Sequence, residues 1–265
     1  MLDHNLENIL ADAIAAAKAA GEITLCYFGK PMDVRHKSPN NPVTDADLHA
    51  DNILRETLKS KYPDYGWLSE ETPDDGSRLR CHRTWMIDPI DGTRAFTKGI
   101  PHFTISIALV ENGKAILGVV FNPATNEMFY ATRGDGAYKN HSQIKVSARQ
   151  ALSGARILGD KHWFCAKSWR TPWPEMHIES RNSIAYRLAL VASGEFDMTI
   201  GTRQSNDWDI AAGAIIVSEA GGTISDYVGN EFVFNQAKPV QTNLIASGPH
   251  LHDEIITQLA QISAD

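Results

Sequence analysis

WMIDPIDGT, residues 85–93, runs from an apolar segment directly into two carboxylates that lie three residues apart. Residues 84–87 have the pattern of a buried strand, which we predict to end in a turn at Asp88. In that turn Pro89 fixes one backbone angle, and Gly92 lets the chain approach a ligand closely. Both acids and a backbone carbonyl can then point at one position. Hard oxygen ligands of this kind suit Mg²⁺ or Mn²⁺.

The same stretch offers groups that can bind an anion. Gly92 and Thr93 carry backbone N–H groups and Thr93 adds a hydroxyl, and such groups at a turn bind phosphate. Asp-Pro and Asp-Gly also occur in ordinary turns, and Thr is a common helix cap. The stretch alone is therefore equally consistent with a simple turn and with a binding site.

Three further acidic segments stand beside apolar runs. They are SEE at 69–71, VTDAD at 43–47 and DWD at 207–209. Each has an ordinary explanation, because adjacent acids usually form a solvated loop and acids at a helix N-terminus serve the cap and the dipole. Separate explanations account poorly for four such clusters at the ends of elements. Brought together, the clusters predict a carboxylate site for several metal ions.

The hydrophobic pattern of the whole chain predicts a layered α+β fold. Helices are predicted at 5–28, from 44 to 62, at 183–193, at 208–220 and at 250–262. Strands are predicted at 65–68, 84–87, 104–110, 115–121, 127–132, 155–158, 196–200 and 243–246, with a polar loop at 31–42. We predict a single unit over residues 1–265. A composition shift near 140–160 marks the boundary between an α+β half, about 1–150, and an α/β half, about 151–265.

The composition argues against several classes of protein. The 265 residues are 43% hydrophobic and 22% charged, which is ordinary for a globular protein. With 32 acidic against 25 basic residues the formal net charge is -7, so nucleic acid is not expected as a direct ligand. Cys26, Cys81 and Cys165 form no CxxC pair, which favours the reducing cytoplasm. The N-terminus has no signal-peptide pattern, and we expect no membrane anchor.

The order and spacing of the four acidic segments resemble those found in the inositol monophosphatase family. Members of that family are magnesium-dependent, lithium-sensitive phosphatases. Residues 85–96, WMIDPIDGTRAF, are similar to one family signature, and residues 208–222, WDIAAGAIIVSEAGG, to the other. VTDAD at 43–47 and SEE at 69–71 match the two remaining active-site segments. The resemblance covers essentially the whole chain. It implies a layered α/β/α/β/α sandwich of the inositol monophosphatase and fructose-1,6-bisphosphatase type, usually a homodimer.

The resemblance also implies metal ligands. Glu70, Asp88 and the Ile90 carbonyl resemble the ligands of a first ion. Asp88, Asp91 and Asp209 resemble those of a second ion, and a third, weaker ion is implied near Glu70. Two or three Mg²⁺ ions are therefore expected, with Mn²⁺ as an alternative.

Further residues are implied to act on water and substrate. Asp47 and Thr93 resemble the pair that, with Glu70, orients and deprotonates the attacking water. Glu71 resembles a residue that supports the metal ligands, and Lys37 lies in a segment similar to the family's mobile loop beside the site. The implied reaction is direct in-line attack on a small phosphorylated metabolite, without a covalent phosphoenzyme. Substrate contacts are expected from Asp91, Gly92, Thr93, Ser183, Arg187 and Asp209.

The sequence distinguishes the possible substrates only in part. Inositol-specific members usually carry a Glu a few residues before the WD pair, whereas residues 201–207, GTRQSND, contain none. Arg187 stands where nucleotidase-type members carry a Lys and could bind a second phosphate, although a helix-surface arginine is at least as consistent with its position. Residues 101–113, PHFTISIALVENG, resemble bacterial inositol monophosphatases. We rank inositol 1-phosphate first, a 3'(2'),5'-bisphosphate nucleotide or histidinol phosphate next, and a regulatory binding protein that retains the fold as the non-enzyme alternative.

Overall fold

The computed structural model describes residues 4–39, 41–165 and 169–261. The chain begins with the long helix α1 (His4–Tyr27), and α2 (Asp45–Lys61) packs against it. Between them β1 (Arg35–Ser38) and β2 (Asn41–Val43) form a two-stranded antiparallel ribbon. The prediction of a loop over 31–42 is therefore wrong for these strands. The side chains of β1 are all exposed and polar, and β2 is only three residues long, so neither strand carries a hydrophobic pattern that signals the pairing.

A seven-stranded sheet follows in the order of the sequence. Its strands are β3 (Gly66–Ser69), β4 (Arg83–Asp91), β5 (Thr104–Glu111), β6 (Lys114–Asn122), β7 (Glu127–Thr132), β8 (Gly136–Lys139) and β9 (Ser142–Ile144). The first pair, β3 and β4, is parallel, and the other neighbours are antiparallel. A 3₁₀ turn (Ser77–Arg80) precedes β4, and the short helix α3 (Thr93–Phe96) follows it.

The remaining chain forms a five-stranded mixed sheet and a second ribbon. The strands are β10 (Arg156–Leu158), β11 (His177–Glu179), β12 (Met198–Gly201), β13 (Ser205–Asn206), β14 (Thr223–Ser225), β15 (Val240–Gln241) and β16 (Leu244–Ser247). The helices are α4 (Lys161–Phe164), α5 (Ile184–Ala192), α6 (Asp207–Glu219) and α7 (Pro249–Leu259). The sheet order is β11-β10-β12-β16-β14, and β13 pairs with β15.

The helices and sheets stack in five layers, because each sheet alternates its side chains between two faces. In β4, Trp85 and Ile87 belong to the core of α1 and α2, whereas Met86 belongs to the core of α5 and α6. In β10, Leu158 joins the core of α5 and α6, and Ile157 joins that of α7. Helices α5 and α6 are therefore the middle layer. This arrangement confirms the predicted α/β/α/β/α sandwich.

Helix α6 lies very close to the seven-stranded sheet. A Cβ at Gly118 of β6 would stand 2.5 Å from the Ala212 carbonyl oxygen, so only glycine permits this approach. The close packing sets the position of the first turn of α6, which carries Asp209.

The predicted helices and strands agree with the observed ones to within a few residues. Helix α6 starts one residue before its predicted beginning, and residue 262, the predicted end of the last helix, lies outside the described residues. Within the described ranges no helix is both long and apolar enough to cross a lipid bilayer. The division of the chain near residue 150 stays a prediction.

Candidate active site

Two parallel strands bring the first two acids together. Strands β3 and β4 are paired in register, so that Ser69 lies opposite Ile87. The next residues on the two strands, Glu70 and Asp88, are therefore neighbours, and the Glu70 N–H donates to the Ile87 carbonyl at 3.2 Å. The sequence predicted an acid at the end of each strand, but not the parallel pairing that makes them adjacent.

The acidic segment of β4 is a bulged strand, and the prediction of a turn at Asp88 is wrong. Asp88 pairs with Ser106 and Asp91 with Thr104, so three steps on β4 match two on β5. One extra residue is accommodated, as in a β-bulge. Since Ser106 and Thr104 share one face of β5, their partners Asp88 and Asp91 share it too. A regular strand would have turned acids three residues apart to opposite faces.

Helix α6 supplies a third carboxylate. Asp209 lies in its first turn, where Oδ2 accepts from the Asn206 N–H at 2.7 Å within a capping box. Glu70, Asp88 and Asp209 each place a carboxylate oxygen within 4.8 Å of the other two. Opposite ligands of a six-coordinate Mg²⁺ stand about 4.2 Å apart, because each bond is about 2.1 Å long. The three hard oxygen donors could hold one small divalent cation, with an adjustment of at most about 0.6 Å between the most distant pair.

Asp91 lies beside this group and is held by α5. Its Oδ2 accepts from the Ser183 hydroxyl at 2.6 Å and from the Ala185 N–H at 2.7 Å. The same Ser183 oxygen accepts from the Tyr186 N–H and caps the helix. Oδ1 of Asp91 accepts no hydrogen bond from the described part of the chain and is free for a ligand. The role of Asp91 as a ligand of a second ion stays a prediction.

The structure brings Asp47 and Thr93 together. Asp47 lies in the first turn of α2, where Oδ2 accepts from the N–H and the hydroxyl of Thr44 at 2.7 and 2.6 Å. The Thr93 hydroxyl stands 3.2 Å from Asp47 Oδ1 and 3.0 Å from the Ile90 carbonyl oxygen. A hydroxyl has one hydrogen and two lone pairs, so Thr93 can donate to one of these oxygens and still accept from a water.

Gly92 joins β4 to α3 in a conformation that only glycine adopts freely. Its φ is 97°, and a Cβ there would stand 2.6 Å from the His102 carbonyl oxygen. Thr93 then begins α3, and the N–H groups at a helix start have no acceptor within the helix. Gly92 and Thr93 line the same cleft as the carboxylates, and their role in phosphate binding stays a prediction.

Burial and mutual repulsion make the ionised forms of these acids costly. Asp88 is 2% exposed and Asp91 is 7% exposed. Burial raises the pKa of Asp88 well above its usual range, and the charge of Glu70 raises it further. Burial, followed by the charges of Asp91 and Glu70, raises the pKa of Asp209 in the same way. A bound cation would relieve both effects.

Asp47 and Asp91 each have a pKa raised toward neutrality. Burial raises the pKa of Asp47 to about 6, although hydrogen bonds from Thr44 oppose the shift. Burial also raises the pKa of Asp91 to about 6, against hydrogen bonds from Ser183 and Ala185. Both carboxylates are therefore ionised at pH 7 and above, but each can take up a proton without a large cost.

Lys37 of β1 places an ammonium group on this acidic centre. Its Nζ stands 2.7 Å from Glu70 Oε1 and 2.9 Å from Glu71 Oε1. Burial lowers the pKa of Lys37, but the two carboxylates outweigh burial and raise it above its usual value. Burial raises the pKa of Glu71 to about 7, with Lys37 opposing and Glu70 adding to the shift. Lys37 thus shares Glu70 with any metal ion that binds there.

The carboxylates open into a cleft of about 740 Å³. It is lined by four acids, Glu70, Asp88, Asp91 and Asp209. Asp47 and Ser183 do not line the cleft. Asp47 contacts it through its hydrogen bond with Thr93, and Ser183 through its hydrogen bond to Asp91. Arg187 also lines the cleft, half-buried, with Nε donating to the Arg181 carbonyl at 2.6 Å. This position favours a site residue over an ordinary surface arginine.

The sequence did not predict several charged residues of the cleft. They include the basic residues Arg94, Lys161 and Arg203 and the acids Asp160 and Glu179, and His162 was not predicted either. Lys161 and His162 follow shortly after the end of β10, and ligands in α/β proteins commonly bind beyond the carboxyl ends of strands. That placement was a usable signal. Arg94 stood within the quoted signature, and Arg203 within the stretch 201–207 that departs from the inositol pattern.

Several curated relatives match nearly the whole chain. An inositol-1-monophosphatase from Rhizobium meliloti is 36% identical over 253 residues, covering 92% of this chain and 91% of the relative. A fructose-1,6-bisphosphatase/inositol-1-monophosphatase from Thermotoga maritima is 34% identical, covering 94% and 95%. A histidinol-phosphatase from Chlorobaculum parvum is 35% identical, covering 87% and 90%.

The fold also has solved counterparts. The structure of the extragenic suppressor protein suhB from Bartonella henselae matches with a TM-score of 0.83 and 31% identity, covering 95% of this chain and 98% of that one. The five-layered fold, its carboxylate centre and these relatives define a phosphoric monoester hydrolase. The profile of the inositol monophosphatase family matches residues 5–264. The chain therefore belongs to the inositol monophosphatase family.

Proposed function

We propose that this protein hydrolyses a small phosphate monoester with Mg²⁺, using water as the nucleophile. The observation that carries the proposal is the group of three carboxylate oxygens, from Glu70, Asp88 and Asp209, within 4.8 Å of one another. Asp91 and the Ile90 carbonyl would complete the ligands of two or three ions. Bound Mg²⁺ would neutralise the phosphate and lower the pKa of the attacking water. Mn²⁺, with the same oxygen preference, is an alternative.

Glu70 and Thr93 are the residues that would hold the attacking water. Because the Thr93 hydroxyl donates to Asp47 or to the Ile90 carbonyl, its oxygen is left to accept a hydrogen bond from water. Above its pKa of about 6 Asp47 is ionised and can take the Thr93 proton. The water would then give its proton to Thr93 while Thr93 passes its own to Asp47.

The backbone at the start of α3 would hold the phosphate. The N–H groups of Gly92 and Thr93 lie along the cleft and have no acceptor within the helix. Donation to the phosphate oxygens would orient the ester for attack in line with the leaving alcohol. Asp209 and Asp91 would contribute to substrate binding through the metal ions that they hold.

Inositol 1-phosphate is our first candidate substrate, because relatives that match most of the chain are named inositol-1-monophosphatase or inositol monophosphatase. Histidinol phosphate and a bisphosphorylated nucleotide follow it, the latter favoured by Arg187 in the cleft. We further propose that the protein is a cytoplasmic homodimer. Analytical sedimentation of the purified protein would test whether it is a dimer. A regulatory protein that retains the fold is the non-enzyme alternative.

The test is a kinetic panel of inositol 1-phosphate, histidinol phosphate, fructose 1,6-bisphosphate and 3'-phosphoadenosine 5'-phosphate, run with Mg²⁺ and with EDTA. We expect turnover with Mg²⁺ that is inhibited by lithium, lost in EDTA and lost in Asp88→Asn. The exposed Asp64→Asn is the matched control. Full turnover in chelator would refute the mechanism. A folded protein that hydrolyses nothing in the panel would instead favour the regulatory alternative.

A further inference from the structure

Asp207 is the first acid of the segment DWD, and the proposed reaction does not use it. It is fully buried at the start of α6, two residues before Asp209, and is not among the described residues that line the cleft. Its Oδ2 accepts from the Asn235 N–H at 2.8 Å, and its Oδ1 accepts from Gln241 Nε2 at 2.9 Å. A buried carboxylate is costly unless it is hydrogen-bonded, so these two donors hold the beginning of α6 in place.

Asn235 connects Asp207 to two other parts of the fold. Its φ of 60° is left-handed, a conformation that glycine and asparagine tolerate better than most residues. Its Oδ1 accepts from Arg78 Nη1 at 2.6 Å, and its Nδ2 donates to Thr84 Oγ1 at 3.2 Å. Because the Arg78 guanidinium has only donors, the amide oxygen must face it and the amide nitrogen must face Thr84. Asn235 thus joins the 3₁₀ turn and β4 to the start of α6.

Arg78 makes this junction rigid. The residue is fully buried, and its Nε and Nη2 stand 3.1 and 2.9 Å from Asp74 Oδ2. Nη2 also donates to the Gln236 carbonyl at 3.0 Å, and Nη1 donates to Asn235. A planar guanidinium with a partner on each nitrogen has a fixed direction. Four residues form the junction, which we call the clamp: Arg78, Thr84, Asp207 and Asn235.

The clamp rests on the two strands that carry Glu70 and Asp88. Thr84 lies on β4 and pairs with Gly66 of β3. A Cβ at Gly66 would stand 2.6 Å from Thr84 Oγ1 and 2.8 Å from Arg78 Cβ, so β3 packs directly against both side chains. Glu70 and Asp88 each lie four residues further along their strand, about 13 Å away at about 3.3 Å per residue. The clamp therefore shares both strands with these two acids but is too far along them to touch a bound ion.

The rest of α6 is held independently of the clamp. Its middle packs against Gly118 of β6, and Glu219 at its end accepts from the Gly134 N–H at 2.8 Å. In the first turn, the Ser106 hydroxyl donates to the Trp208 carbonyl at 3.0 Å. One hydrogen bond fixes a distance but not a direction. The clamp adds the contacts that set the orientation of the first turn.

We infer that the clamp positions Asp209 against Glu70 and Asp88 and thereby sets the affinity of the carboxylate centre for its divalent cation. The inference rests on the metal centre of the proposed function. Mg²⁺ demands near-ideal octahedral geometry, so a displacement of about 0.5 Å at Asp209 is enough to weaken binding. The clamp residues are positioning residues, because they act on the ion only through the strands and the helix that they join.

Two substitutions at Thr84 separate positioning from stability. Thr84→Val keeps the shape but removes the hydroxyl that accepts from Asn235 and donates to the Arg78 carbonyl, whereas Thr84→Ser keeps the hydroxyl and loses a methyl group. Each purified protein is titrated with Mn²⁺, which prefers the same oxygen ligands, and free Mn²⁺ is measured by electron paramagnetic resonance without substrate. We expect Thr84→Val to raise the Kd for Mn²⁺ by about 10-fold, and Thr84→Ser by less than about twofold.

A buried residue far from the clamp provides the matched control. Ile255 lies in the core of α7, and Ile255→Val should lower the Tm by about 1–6 °C without changing the Kd for Mn²⁺. If Thr84→Val does not fold, Asn235→Gly takes its place. Glycine adopts a φ of 60° freely but lacks both side-chain hydrogen bonds, so the same rise in Kd of about 10-fold is expected.

The possible results bear on separate claims. A Kd for Mn²⁺ that is unchanged in Thr84→Val, or raised equally in Thr84→Ser and Ile255→Val, would overturn the inference and leave the proposed function intact. The expected order of Kd values in proteins that hydrolyse no phosphate ester would support the inference and overturn the proposed reaction. A parent protein that binds no Mn²⁺ would overturn both.

Discussion

The substitution Asp91→Asn is expected to abolish hydrolysis and to stabilise the metal-free protein. Burial raises the pKa of Asp91 from 3.8 to about 6, even though Ser183 and Ala185 donate to it. Two pKa units correspond to about 3 kcal/mol. Asparagine can place its oxygen at the Oδ2 position and keep both hydrogen bonds, but the bonds lose the help of the negative charge, at a cost of about 1 kcal/mol. The net gain of about 2 kcal/mol should raise the Tm by about 4–8 °C in a chain of this size.

The stability that the substitution adds depends on pH. Because the folded pKa of Asp91 is the higher one, its burial costs no stability below pH 3.8, and the cost is complete above about pH 6. In chelator the variant should therefore unfold at a higher temperature than the parent at pH 8, and the two should nearly coincide at pH 4. Saturating Mg²⁺ should reverse the order at pH 8, because the parent binds the ions more tightly.

Differential scanning calorimetry in EDTA, repeated with Mg²⁺, measures both effects. Asp12→Asn is a control of opposite sign, because hydrogen bonds from Lys61 and Tyr62 outweigh burial and lower the pKa of Asp12. It should lose stability at pH 8. A Tm of Asp91→Asn equal to or below that of the parent, at pH 8 in chelator, would refute the reasoning that the carboxylate centre is destabilising without its ions.

Three further predictions concern residues around the carboxylates. Asp47→Asn and Thr93→Val should each lower kcat by about 100-fold or more, because the proton acceptor or its relay is lost; near-normal steady-state turnover would contradict this. Lys37→Gln should lower the Mg²⁺ concentration for half-maximal activity by about fivefold, because the Lys37 ammonium competes with the ion for Glu70. A magnesium titration with an unchanged midpoint would count against this. Ser183→Ala should lower the Tm by about 2–6 °C through loss of a helix cap, which a parent-like melting curve would disprove.

The chemistry of the site could be predicted from the sequence because each acid stands at the end of an element. Glu70, Asp88 and Asp209 were found in this way, and the structure brings them within 4.8 Å of one another. The layered fold and the family were confirmed as well. The roles of Glu70, Asp88, Ile90, Asp91 and Asp209 as metal ligands stay predictions, because no described contact tests them.

The arrangement that makes the site work was not visible in the sequence. The parallel pairing of β3 with β4 and the bulge between Asp88 and Asp91 both depend on partner strands. Neither leaves a local pattern of hydrophobic residues. Lys161 and Arg203 were missed for a similar reason, because they are distant in sequence and both line the cleft only since β10 and β12 are neighbours in the second sheet.

The position of α5 and α6 in the middle layer affects when the site can form during synthesis of the chain. Asp209 belongs to α6 and Asp91 is held by α5, whereas Glu70 and Asp88 sit on the first sheet. A nascent chain therefore cannot bring these four carboxylates together before α6, which ends at Glu219, has been synthesised. Truncated products that lack this helix also lack the carboxylate of Asp209, and we expect them to be inactive.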